Sequence, residues 1–192
     1  MKKQTALFNA KKQMRALNYG VLSTHSKAEQ GFPFGSVSTF MSTFKGNVVF
    51  YISTLAQHTH NITLNPKMCF TVFTHNPSEI NTDPNSNARI SLLGSAQRMT
   101  KQEQTSQQFF MQFPDSEKYQ QTHDFSFYQL NTHKVRYIGG FGDIHWFDKT
   151  TWLNSNTTWH DDQEAIIHHV NSDHADVLHN IYQYQYQKTL HD

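Results

Sequence analysis

The chain of 192 residues has a single cysteine, Cys69, so no internal disulfide can form, and that residue reads as a small buried hydrophobe inside the strand-like MCFTVF. Charge of either sign is scarce and nearly balanced, 16 Lys and Arg against 15 Asp and Glu. The clustered basic excess of a nucleic-acid surface is missing, so small molecules or a second copy of the chain are the expected partners. No apolar run exceeds about five residues, far short of the ~20 that span a bilayer, so no membrane segment is expected. The opening MKKQTALFNAKKQMRAL is basic but lacks an apolar stretch and a small-residue cleavage site, and a cytoplasmic protein is expected. Neither GxGxxG nor GxxxxGK[ST] occurs, which removes the two common nucleotide-loop signatures.

Aromatic residues are plentiful: 15 Phe and 8 Tyr can fill a barrel-type core. Residues 5–18 carry Leu7, Met14 and Leu17 at helical spacing and end at Asn18-Tyr19-Gly20. GVLSTHS (20–26), FGSVSTFMSTF (34–44), VVFYI (48–52), MCFTVFT (68–74), ARISLLGSAQRMT (88–100), FSFYQL (125–130) and HKVRYIGGFGDIHWF (133–147) read as strands, the last two as a pair. Lys45-Gly46-Asn47 reads as a hairpin turn, HNPSEINTDPNSN as an exposed loop and Gly94 as a bulge. Residues 101–122 predict a helix or helix pair interrupted at Pro114. From Asp161 one helix is expected, with Ile167, Val170, His174, Val177, Leu178 and Ile181 on a single face. The fold class is α+β dominated by β: a six- to seven-stranded, mostly antiparallel split barrel with peripheral helices and a C-terminal helix. The division is 1–148 for the barrel and 149–192 for a connector and short helical module.

Residues 48–66, VVFYISTLAQHTHNITLNP, hold the densest chemistry. Ser53, Thr54, Gln57, His58, Thr59 and His60 follow a buried-type strand, and Asn65-Pro66 stops the short helix between. A helix N-terminus beside such donors suits an anion, here a phosphate. Histidine is the compositional oddity, with 13 in the chain and six (His160, His168, His169, His174, His179 and His191) near its end. His169 and Asp173 lie four apart and His174 lies in the apolar stripe. They read either as haem-iron ligands oriented by a carboxylate or as the polar face of a docked helix. His123-Asp124 is a second histidine–carboxylate pair, of which only one member can point inward on a strand.

GVLSTHS, GFPFGSVSTF, VVFYISTLAQHTHNITLNP, ARISLLG, HDFSFYQL and VRYIGGFGDIHW, in that order, resemble the FMN-binding split-barrel superfamily of pyridoxamine 5′-phosphate oxidases over residues 12–148. They are most similar to its haem-utilisation, haem-degrading branch. EAIIHHVNSDHADVL (164–178) looks like the start of that branch's helical module. The resemblance implies a homodimer with FMN at the subunit interface, lying against Tyr51 and Ile52 with its phosphate near Gln57, His58, Thr59 and His60. Ser36 would lie beneath the ring, and Arg89 would touch it. The superfamily's Arg-Lys pair is replaced here by Gln57-His58 and the branch's HTR by His58-Thr59-His60, which removes permanent charge worth about 1.5–3 kcal/mol per contact. Protonation of His58 and His60 would restore part of it, so FMN affinity is expected to fall between about pH 6 and 8. The implied function is flavin or haem binding in haem-iron utilisation, extending to haem degradation. An FMN-dependent oxidoreductase and a non-enzymatic binding protein are the alternatives.

Overall fold

The computed structural model describes residues 2–74, 83–100, 103–122, 124–153, 159 and 162–186. Helix Lys3–Ala16 (α1) leads into strands Tyr19–His25 (β1), Pro33–Thr39 (β2), Met41–Ser42 (β3) and Val48–Ser53 (β4). After helix Gln57–Leu64 (α2) come Lys67–Phe73 (β5), Arg89–Arg98 (β6), helix Glu103–Gln112 (α3), Phe125–Ile138 (β7), Ile144–Asp148 (β8) and the short helix Lys149–Trp152 (α4). One antiparallel sheet runs β2-β1-β5-β6-β7-β4-β3, with β8 added on β7. β2 and β3 are the ends of that path, yet only Phe40 separates them in sequence. A sheet whose edges lie one residue apart must curl round on itself, which gives the expected split barrel.

The curl encloses a core in which Phe40 meets Phe70 edge-on at 5.0 Å and Phe50 meets Phe70 at 4.9 Å. Ala6, Ala10 and Met14 of α1 close this core from one side, small residues that let the helix approach the sheet. Trp152 of α4 is buried in it too, its indole N–H donating to Gly46 O at 3.0 Å. The other face of the sheet is covered only in part. Over β4 and β7, helix α3 lays Phe109 and Phe110 on Tyr51 and Phe127, and these form a second aromatic cluster. Among the described residues of the first unit, no such helix lies on the outer face of β2, β1, β5, β6, β8 and the second half of β7.

β7 departs from the sequence expectation. Phe125–Ile138 is one 14-residue strand, where a break near Asn131-Thr132 was expected, and its true hairpin partner is β8. Thr132 is buried between Leu130 and Val135 in the core, so the polar triplet Asn131-Thr132-His133 continues the strand. The reversal comes at Gly139–Asp143, where Gly140 and Gly142 have φ of 141° and 76°, values that a side chain would strain. The irregularity absorbed by β7 is a bulge. Leu93 pairs with Lys134 but Gly94 pairs with Thr132, so His133 has no partner on β6.

Residues 1–154 and 155–192 form separate units. In the second, Gln163–Asp173 (α5) and Ala175–Tyr186 (α6) replace the single helix expected, because the chain breaks at His174 (φ −129°, ψ 24°). Asn171, Ser172 and Asp173 just before it are weak helix formers that bond competing backbone groups. His174 is therefore a break residue rather than part of a continuous stripe. Residues 75–82, most of the expected exposed loop, and His123, His160 and His191 lie outside the described residues. Among the described residues no helix is long and apolar enough to cross a membrane.

A Cβ on Gly94 would collide with the carbonyl of Asn131 and come within 2.9 Å of Leu130 Cδ1. Gly94→Ala is expected to lower unfolding stability by about 2 kcal/mol or more, seen as a lower urea midpoint. An unchanged midpoint would mean that the bulge relaxes freely.

Candidate functional site

At the first expected site, most of the donors on the loop before α2 are spent internally. Ser53 Oγ donates to Asp124 Oδ2 at 3.0 Å and accepts from Leu55 N–H at 3.1 Å. Thr59, buried, donates to Ser53 O at 2.6 Å, and Gln57 Nε2 donates to Asn61 Oδ1 at 2.9 Å. Asn61 is fully buried. It also accepts from Lys27 N–H at 2.9 Å and donates to Thr24 Oγ1 at 2.8 Å, so it ties α2 to β1 and to the loop after β1. Polar side chains that looked like a phosphate cradle are, in large part, the fastenings of α2.

What remains is His58. Its Nε2 is buried with no partner among the described residues, and burial pushes its pKa below the usual 6.5. No side chain caps α2, and since the amides of Thr59 and His60 both donate to Ala56 O, those of Gln57 and His58 are the ones at its open end. His60, two residues on, points elsewhere: it is exposed and lines a 190 Å³ hollow with Lys27, Thr63 and Leu64. The two histidines expected to share a phosphate thus occupy different flanks of one helix. Tyr51 is held among Phe109, Phe110, Phe125 and Phe127 with ring centroids 4.5–5.9 Å away. Burial, then the charge of Asp124, raises its phenol pKa. Ile52 points the opposite way, into the main core. Ser36 is half-buried on edge strand β2, opposite Leu22. Arg89 spends its Nη1 on the carbonyls of Asn85 (2.8 Å) and Asn87 (3.2 Å).

In the second unit, His169 Nδ1 meets Asp173 Oδ2 at 2.9 Å and its ring stands edge-on to His174 at 5.2 Å. The pairing expected from spacing is present. Both members are more than half exposed, and α5 buries no residue, so no apolar wall accompanies them. Among the described residues no group of three or more His, Cys, Asp or Glu side chains could hold a bare metal ion.

A different place on the barrel does combine walls with ligands. A cavity of about 450 Å³ opens on the outer face and is lined by the ends of β1, β2 and β5, the β6 bulge and β7. Its surface is mainly apolar, with Pro33, Met68 and Leu93 contributing. Register places Ser23, Cys69 and Leu93 in one row, with Lys67 and Ser95 paired at its edge. His25 lies on β1 one position beyond the Thr24–Met68 pair, and His133 is the unpaired bulge residue of β7. No lining residue is acidic. Cys69 is half-buried, with Sγ 3.6 Å from Thr71 Oγ1, so the thiol edges a cavity instead of filling the core. Sequence spacing gave no hint of these residues, which come from five strands. The one available signal was Gly94, since a glycine within a strand marks a bulge and a bulge re-aims the residue opposite.

The family model described as CREG, beta-barrel, matches residues 2–154. The chloroplastic haem oxygenase HOZ of Arabidopsis thaliana is 26% identical over 180 residues, covering 84% of this chain. The chain spans about half the length of that relative, 52%. A haem-binding protein from Mycobacterium smegmatis superposes with a TM-score of 0.66 at 24% identity, covering 77% of this chain and 59% of that one. A pyridoxinephosphate oxidase family protein from Clostridium acetobutylicum superposes at 0.57 with 12% identity, over 77% of this chain and 96% of that one.

The desolvation of the half-buried His58 gives a test with a definite sign. The folded protein resists protonating it, so the unfolded chain binds the extra proton and stability falls as pH drops below about 6.5. His58→Gln is expected to lose less stability than the parent between about pH 7 and 5 in urea titrations. Parallel curves for the two proteins would show that His58 is not desolvated.

Proposed function

The chain belongs to the CREG β-barrel family, and from that premise we propose that it is a haem-binding split-barrel protein acting as a homodimer. The observation that carries the reading is the 450 Å³ cavity at the β6 bulge. A haem needs apolar walls for its ring, an imidazole or thiol for its iron and cations for its propionates. Pro33, Met68 and Leu93 meet the first need, His25, His133 and Cys69 the second, and Lys67 the third. The names of the Arabidopsis and Mycobacterium proteins support the same ligand. Iron in such a pocket supplies redox chemistry, and haem breakdown is the reaction class that the relative's name suggests.

FMN on α2 is the second reading, favoured by the unpartnered His58 Nε2 and by the oxidase-family likeness of the fold. It is the weaker of the two. The first turn of α2 carries no Arg or Lys, Asp124 stands beside Ser53, and Tyr51 is enclosed by phenylalanines.

Dimerisation is supported by the uncovered outer face. Val37, Val21, Thr71, Ser91, Arg136 and Trp146 fall in one register row across six strands. Val37 is 73% exposed and Trp146 44%, with Tyr19, Phe73 and Ile144 exposed nearby. Exposed apolar surface on this scale marks an interface. The cavity opens on the same face, so a second copy would help roof it.

Titration with haemin is expected to give a Soret band at about one equivalent per chain, and FMN little change in flavin fluorescence. Flavin binding without a Soret band would reverse the choice. If the band then decays under a reductant and oxygen, the protein degrades haem; a persistent band leaves it a binding protein. Val37→Glu combined with Trp146→Glu is expected to convert a dimer into a monomer in sedimentation velocity, while a monomeric parent would contradict the interface.

A further inference from the structure

Resting on the haem reading above, we propose that His133 is the residue that faces haem iron, with Lys67 and His25 holding the propionate end. The barrel, and not the C-terminal helices, then supplies the metal ligand.

The bulge is the first reason. Because Leu93 and Gly94 pair with Lys134 and Thr132, His133 is the extra residue of β7, and it lies against the cavity. Its ring is exposed and takes no hydrogen bond or ion pair among the described residues. Four other described histidines are committed or lie away from the cavity. His145 Nε2 is held by Asp143 Oδ1 at 2.8 Å, and that bond keeps the carboxyl of Asp143 below its usual range. His58 is half-buried on α2, away from this cavity, and His169 and His174 have an oriented imidazole but no pocket.

The charge layout is the second reason. Lys67 and His25 lie at adjoining ends of neighbouring strands, which puts an ammonium and an imidazole at one end of a cavity with no acidic residue among its described lining. His133 sits on β7, two strand spacings from β5 and about 10 Å away by sheet geometry. That separation suits a ring whose iron is at its centre and whose carboxylates are at one edge. His25 is three spacings from His133, about 14 Å, which places it at the Lys67 end of the cavity and not beside His133. Cys69 lies on β5, in the register row of Ser23 and Leu93, between the strands that carry His25 and His133.

The test is haemin titration of the full chain, followed by Soret absorbance and electron paramagnetic resonance. His133→Ala is expected to weaken binding on the order of tenfold or more and to lose the imidazole-ligated spectrum, which added free imidazole restores. Lys67→Met is expected to weaken binding while leaving the spectrum unchanged, and His169→Ala and His174→Ala to change neither. Since His133 and Lys67 are exposed, both variants should fold, which far-ultraviolet circular dichroism checks. Parental affinity and spectrum in His133→Ala overturn the proposal, as does their loss in His174→Ala, His169→Ala or Cys69→Ala instead. Absence of any Soret band in the parent protein sinks the haem reading itself, a result separate from either of these.

Discussion

The register break between β6 and β7 is the constraint on which the rest of the molecule turns. Gly94 brings its backbone so close to the carbonyl of Asn131 that no side chain fits, and the ladder resumes one residue out of step. A bulge adds local twist and bends the strand that carries it. Here the bent strand is β7, whose 14 residues pair with β6, β4 and β8 at once and so join the two halves of the curl. The same step leaves His133 unpaired at the mouth of the cavity. Backbone geometry that bends β7 therefore also shapes the cavity beside it.

Polar groups are allotted between two places in opposite ways. Around α2, hydroxyls and amides converge but bond one another, and Asn61 alone makes three hydrogen bonds that lock the helix to β1 and the following loop. Buried polar networks of this kind specify a unique arrangement when fully satisfied, and they leave little for a ligand. At the β6 bulge the strands bond through their backbones, and the side chains of His25, Lys67 and His133 form no hydrogen bond with one another among the described residues. Convergence with mutual satisfaction builds structure, whereas convergence without it builds a site.

Much of the architecture was legible in the sequence because it rests on local signals. α1, the turn at Lys45-Gly46-Asn47, the Asn65-Pro66 stop and the alternating strands all appear where periodicity and turn chemistry place them. The order of blocks made the split barrel recognisable as a whole. Where local signals misled, tertiary burial was the cause. Thr132 looks like part of a polar break until Leu130 and Val135 flank it in the core, and Tyr51 sits on a face whose cover, α3, is fifty residues away. Direction of side chains was hardest to read, since both faces of β4 are buried and alternation then says nothing of which face meets a ligand. His25 and His133 are more than a hundred residues apart in the chain and share a cavity only because β1, β5, β6 and β7 are neighbours.

The most direct measurement is the position of iron itself, found by anomalous X-ray scattering from crystals grown with haemin. Iron beside the β6 bulge, within bonding distance of His133, is the predicted result. Iron against the first turn of α2, or within α5 and α6, would contradict the account.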